Sequence, residues 1–144
     1  MPETQLARAA TMHPFLRYQN AQAAVEWLVR AFSLESRAVH PGPDGTVVHA
    51  ELGWGGSVLM LGSVKEPGSG EDLGLRTARE LGGVTQGIYM NVPDIDAHYA
   101  RACVAGAEIV YPLRQTDYGS REYAARDLEG NLWSFGTYQP GASA

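Results

Sequence analysis

Two stretches of this chain follow the same plan. Pro14-Phe-Leu-Arg-Tyr-Gln-Asn20 and Ile88-Tyr-Met-Asn-Val-Pro-Asp94 each lead into a helix-like segment, and Phe15 to Tyr89 and Asn20 to Asp94 are both 74 positions apart. A repeat at one fixed offset restricts the fold to two copies of one supersecondary unit. Asn20 is a natural N-cap, and Ala23, Ala24, Trp27, Leu28, Ala31 and Phe32 recur at three- and four-residue spacing, which predicts a helix over about 21–32. In the second copy Asp94 occupies the cap, Tyr99, Ala102 and Cys103 form the apolar stripe, and Gly106 stops the helix.

A short alternating strand precedes each helix, His13 to Tyr18 and Gly87 to Val92, and further strands with glycine-bearing turns follow it. Each half therefore reads as βαβββ, and the predicted class is α+β, with paired modules forming a curved, mostly antiparallel sheet cleft. The chain divides into an N-terminal segment 1–12, a first module 13–62, a linker 63–85, a second module 86–138 and a tail 139–144, one domain in all. Within the linker, Pro67-Gly-Ser-Gly70 lies in a stretch expected to be mobile, and Leu73 to Leu81 can form one or two helical turns.

Strand parity sorts the side chains. With Leu16, Tyr18, Val48, Ala50 and Leu52 under the first helix, His13, Phe15, Arg17, Val47, His49 and Glu51 face the cleft. In the second half Ile88, Met90, Val92, Trp133 and Phe135 go to the helix side, whereas Gly87, Tyr89, Asn91, Leu132, Ser134 and Gly136 face the open side. Phe15 and Tyr89 occupy equivalent positions, which sets two rings near each other in the cavity. Trp27 reads as core. Trp54 reads as cleft rim or dimer contact, and Tyr118 to Tyr123 as a rim hairpin with solvated charges. His98 reads as lying on the helix surface and His40 before a turn, neither with a role, and Cys103 as a small buried apolar side chain.

Eleven Lys and Arg stand against 16 Asp and Glu, a net charge of −5 with no basic cluster, which argues against nucleic acid. No apolar run approaches the roughly 20 residues that cross a bilayer, so no membrane partner is expected and the location reads as cytoplasmic.

Asp127-Leu-Glu-Gly-Asn-Leu-Trp-Ser-Phe135, Val92-Pro-Asp-Ile95 and His49-Ala-Glu-Leu52 with Ser57-Val-Leu-Met-Leu61 resemble the vicinal oxygen chelate superfamily, in its glyoxalase-like and bleomycin-resistance-like branch. The resemblance implies four metal-ligand positions, two from each half. These fall on His13 and Glu51 in the first half and on Gly87 and Ser134 in the second. Glycine offers no donor and a serine hydroxyl a poor one, so the expectation is no metal cofactor. The resemblance also implies a substrate-carboxylate contact at Arg17, against which stands a plain Arg17 to Glu51 ion pair, with His49 as a second partner for Glu51.

The function expected is a homodimeric protein that binds a small molecule, such as an antibiotic, through Phe15, Arg17, His49, Glu51, Trp54, Tyr89, Asn91 and Ser134. The alternative is a lyase, isomerase or dioxygenase holding one divalent ion (Zn, Ni, Fe or Mn) on His13, Glu51 and a further side chain. A metal-free enzyme would use Glu51 as its general base.

Overall fold

The two long helices start where the spacing places them, and hydrogen bonds at their ends join the halves. A computed structural model describes residues 10–141. The first module contains β1 (Phe15–Tyr18), α1 (Ala21–Phe32), β2 (Glu35–Pro41), β3 (Val47–Trp54) and β4 (Ser57–Ser63). A short helix, α2 (Ala78–Leu81), precedes the second module of β5 (Gly87–Asn91), α3 (Ile95–Val104), β6 (Glu108–Gln115), β7 (Arg121–Arg126) and β8 (Leu132–Gly136). The strands form two separate four-stranded mixed sheets, ordered β1-β4-β3-β2 and β5-β8-β7-β6. In each, the first strand runs parallel to the last and the other neighbours are antiparallel. The fold is the expected α+β arrangement of paired βαβββ modules.

The offset of 74 survives in three dimensions. Phe15 lies opposite Met60 and Tyr89 opposite Ser134, both pairs separated by that shift. Asn20 caps α1 through its Oδ1, which accepts from Ala23 N at 3.1 Å, whereas Asp94 stands at the start of α3 without a side-chain cap bond.

The modules dock helix to helix. Trp27 Nε1 donates to Ala105 O at 3.1 Å, and its repeat counterpart Arg101 donates from Nε to Arg30 O at 2.8 Å. Each helix thus fills the other's last-turn carbonyls, groups that have no partner within their own helix. The two equivalent helices, α1 and α3, therefore pack directly on each other. Phe32 sits at the centre of the shared core, 4.7 Å from the Phe135 ring, 5.2 Å from Trp133 and 5.0 Å from Trp27.

Three sequence expectations change. Val47 is buried and Val48 is 50% exposed, the reverse of the alternation, because His40 pairs with His49 while Pro41 pairs with Val47. Val48 is the extra residue of a bulge, and a bulge inverts parity on one side of itself. In α3 the buried stripe is Ile95, His98 and Ala102, so Cys103 is exposed and His98 is core. In the linker only Ala78–Leu81 is helical. The preceding loop is organised by Asp72, whose carboxylate accepts from Gly68 N at 2.9 Å, Gly74 N at 2.8 Å and Arg76 Nη1 at 3.2 Å. Those donors, the two backbone amides foremost, hold the Asp72 pKa at about 2.

Candidate ligand site

The Asp-Leu-Glu-Gly-Asn turn is the most specific motif of the chain, and its chemistry is structural. Asp127 is buried and receives five donors. Tyr18 OH at 2.6 Å, Trp133 Nε1 at 3.1 Å and Asn131 Nδ2 at 3.2 Å reach Oδ2, and the Glu129 and Asn131 amides, each at 3.0 Å, reach Oδ1. Burial, with the Asp127 charge beside it, pushes the Tyr18 hydroxyl pKa well above 10. Glu129 accepts from Gln19 N and Asn20 N, both at 2.8 Å, at the N-terminus of α1, where a negative charge is favoured. The motif therefore clamps the second module onto the first.

Between the clamped modules lies a cleft of about 670 Å³. Its apolar walls include Leu34, Leu59, Ile88, Met90 and Trp133, with Trp54, His13, Tyr89 and Asn91 around them. Trp54 is pinned rather than free at a rim: its Nε1 donates to Asn91 O at 2.8 Å, and its ring meets His98 edge-on at 6.0 Å. Tyr89 donates to Tyr138 O at 2.6 Å, and the Asn91 amide donates to Thr137 O and Tyr138 O, both at 3.1 Å. Three of the predicted ligand residues thus line the cleft and also hold it together.

The other predicted residues sit elsewhere. Phe15, Arg17 and His49 line a separate depression of about 250 Å³ with Met60 and Leu61. Phe15 and Tyr89 therefore occupy different concavities, and the aromatic neighbour of Tyr89 is Tyr138, 6.5 Å away. Glu51 pairs with His49, Nε2 to Oε2 at 2.9 Å, and not with Arg17. The His40 ring stacks on His49 at 6.0 Å. Arg17 extends over Gly62, where a Cβ would lie 2.9 Å from its Nη1, and it makes no ion pair among the described residues.

The chelating positions do not assemble as the repeat suggested. Glu51 lies opposite Met60 in β3–β4, and Ala124 lies opposite Ser134 in β7–β8, so the counterpart of Ser134 is Met60 and that of Glu51 is Ala124. His13 bonds Val58 O through Nδ1 at 2.9 Å, which leaves Nε2 as the acceptor for Thr11 OH at 2.7 Å. An engaged imidazole, a thioether, a glycine and a hydroxyl do not fit a divalent catalytic ion. Among the described residues no three His, Cys, Asp or Glu side chains gather in a metal-binding group.

Two titratable residues escaped the sequence reading. His98 is 4% exposed, with Nε2 donating to Phe32 O at 2.8 Å and Nδ1 accepting from Tyr123 OH at 2.6 Å. Burial lowers its pKa below 6.5. Its three-residue spacing from Ile95 was the available signal. The neutral imidazole favours the fold, so its stabilising share is complete above about pH 6.5 and is lost as the pH falls through the depressed value. Urea midpoints taken from about pH 7.5 down to about pH 5 should show the gap between wild type and His98→Gln narrowing on acidification. A constant gap would rule out His98 as its source.

Glu122, 7% exposed, is the second. Tyr123 is core, so Glu122 falls on the opposite face by parity. It is not one of the solvated charges of a hairpin, because Tyr118 OH at 2.6 Å and Ser120 Oγ at 3.1 Å bond its two oxygens. Gly136, expected on the open side, is buried beneath it; a Cβ there would come 2.7 Å from Tyr89 OH and 2.9 Å from Glu122 Oε2. Burial, then the Glu122 charge, raises the Tyr89 pKa to about 12.

Comparison with known proteins agrees with this architecture. The family model described as glyoxalase/bleomycin resistance protein/dioxygenase superfamily matches residues 10–135. An uncharacterized protein of Mycobacterium bovis is 34% identical over 126 residues, covering 87% of this chain and 81% of its own. The crystal structure of TioX from Micromonospora sp. ML1 superposes with a TM-score of 0.72 at 37% identity, over 90% of this chain and 99% of that one. The fosfomycin resistance protein FosX of Listeria monocytogenes, there complexed with Mn(II) and 1S,2S-dihydroxypropylphosphonic acid, shares the fold with a TM-score of 0.64 at 12% identity, over 92% of each chain.

Proposed function

This chain belongs to the glyoxalase/bleomycin resistance protein/dioxygenase superfamily, and on that footing we propose that it binds a small organic molecule, antibiotics among the candidates, and sequesters it without a resident metal ion. The observation that carries this reading is the cleft of about 670 Å³ with Trp54, Trp133, Ile88 and Met90 in its walls. Ligand sites for drug-sized molecules span about 300–1,000 Å³ and are mostly apolar with a few polar groups, and here His13 and Asn91 supply polarity. The metal-dependent lyase, isomerase or dioxygenase alternative asks for three good ligands, and the donor set at the chelating positions weighs against it.

The working unit of this proposal is a homodimer. β1 and β5 are edge strands of their sheets and do not pair with each other within the chain. Edge strands with open backbone groups invite another chain, and Phe15 on β1 is 45% exposed. Light scattering on the eluting protein should return twice the chain mass.

Isothermal titration against a panel of aromatic and peptide antibiotics tests the function. A saturable heat with at least one member is the expected outcome, and flat traces throughout would sink the reading. Metal analysis of protein purified without chelators should return far less than one equivalent. Near-stoichiometric zinc, nickel, iron or manganese would instead promote the enzymatic alternative.

A further inference from the structure

Glu122 is a buried carboxylate with no cation beside it. A carboxylate has about four lone-pair sites, and Tyr118 and Ser120 occupy two. Among the described residues it forms no salt bridge. Arg121, its chain neighbour, is committed to Asp96 at 2.8 Å. Arg114, its register partner on β6, lies over the Tyr111 ring with Cζ 4.1 Å from the centroid. A buried charge of this kind is costly unless a partner compensates it. Around it stand tyrosine side chains: Tyr89 brings its hydroxyl to the same point above Gly136, Tyr118 donates to the carboxylate, and Tyr138 packs against Tyr89. An ammonium group carries several N–H donors and no acceptor, which suits a carboxylate with hydroxyl oxygens beside it.

We propose that Glu122, with Tyr89, Tyr118 and Tyr138, forms a recognition site for an organic ammonium group, whose N–H donors take the place of the Tyr118 hydroxyl on Oε1. Tyr118 is 68% exposed in the turn between β6 and β7, so its ring can swing aside without unpacking the core. The exchange is favourable because a hydrogen bond from a charged donor is roughly twice as strong as one from a neutral hydroxyl. Tyr89 also lines the cleft between the modules. The site therefore rests on the small-molecule reading and adds a positive charge to the ligand it describes.

The test is a titration of the full chain with 2-phenylethylammonium and with neutral 2-phenylethanol, followed by calorimetry. Wild type should prefer the ammonium by about tenfold, and Glu122→Gln should abolish that preference. Tyr118→Phe, which keeps the ring and frees Oε1, should tighten ammonium binding several-fold, an effect that a purely structural Glu122 would not produce. Equal affinity for the two probes, no ammonium binding at millimolar concentration, or an undiminished preference in Glu122→Gln would each overturn the proposal. If a neutral antibiotic from the panel still binds in that case, sequestration in the cleft stands and only the cation site falls. Unchanged or weakened ammonium binding by Tyr118→Phe also counts against the exchange.

Discussion

Asp127→Ala should lower the unfolding free energy by about 3–5 kcal/mol, measured as a shift in the urea midpoint at constant slope. The substitution strands a phenol, an indole N–H, a side-chain amide and two backbone amides in a buried site. Unmade hydrogen bonds in such a place cost far more than a typical bond contributes when made. Asp127→Asn should lose less, since the amide oxygen still accepts and the Tyr18 hydroxyl can turn to accept as well, but the Trp133 N–H cannot. In a double-mutant cycle with Tyr18→Phe the two losses should fall short of additivity, because both changes break the same 2.6 Å bond across 109 residues of chain. Additive losses would mean that Tyr18 and Asp127 act independently and that the clamp is misassigned.

Phe32→Ala should cost a similar amount, about 3–5 kcal/mol, with a Tm decrease on the order of 10 °C. The ring is fully buried and touches aromatic residues of both modules, Trp27 on one side and Trp133 and Phe135 on the other. Its removal leaves a cavity at the junction, where neither module can collapse into it without losing the other. The loss should appear in a single transition monitored by circular dichroism and by tyrosine absorbance. Two separated transitions would show that the modules hold independent cores, against the single cluster in which their buried residues lie.

The features that repeat were legible in the sequence. The helix of Ala21–Phe32, the Trp27 and Trp133 core positions and the βαβββ order follow from periodicities of 3.6 and 2 that tolerate little ambiguity. The features that depend on a partner far along the chain were not. An amphipathic helix buries its stripe equally well against its own sheet and against another helix, so the docking of α1 on α3 leaves no separate mark. A single extra residue at Val48 inverts which valine is buried, and no composition signal announces it. Glu51 and Ser134 looked equivalent because each stands on a late strand of its module, but the strand registers make Met60, not Glu51, the counterpart of Ser134. Glu122 lay in plain sight by parity, one residue before the fully buried Tyr123; what its spacing could not convey was the cover supplied by Tyr118 and Tyr89.

The chain has three tryptophans, and each indole N–H serves the junction: Trp27 donates to Ala105 O, Trp54 to Asn91 O and Trp133 to the Asp127 carboxylate that anchors Tyr18. None reports on a module by itself. Intrinsic ultraviolet emission from this protein is consequently a built-in gauge of how tightly its halves are closed. Separating them would redden that emission even while every strand and helix kept its shape.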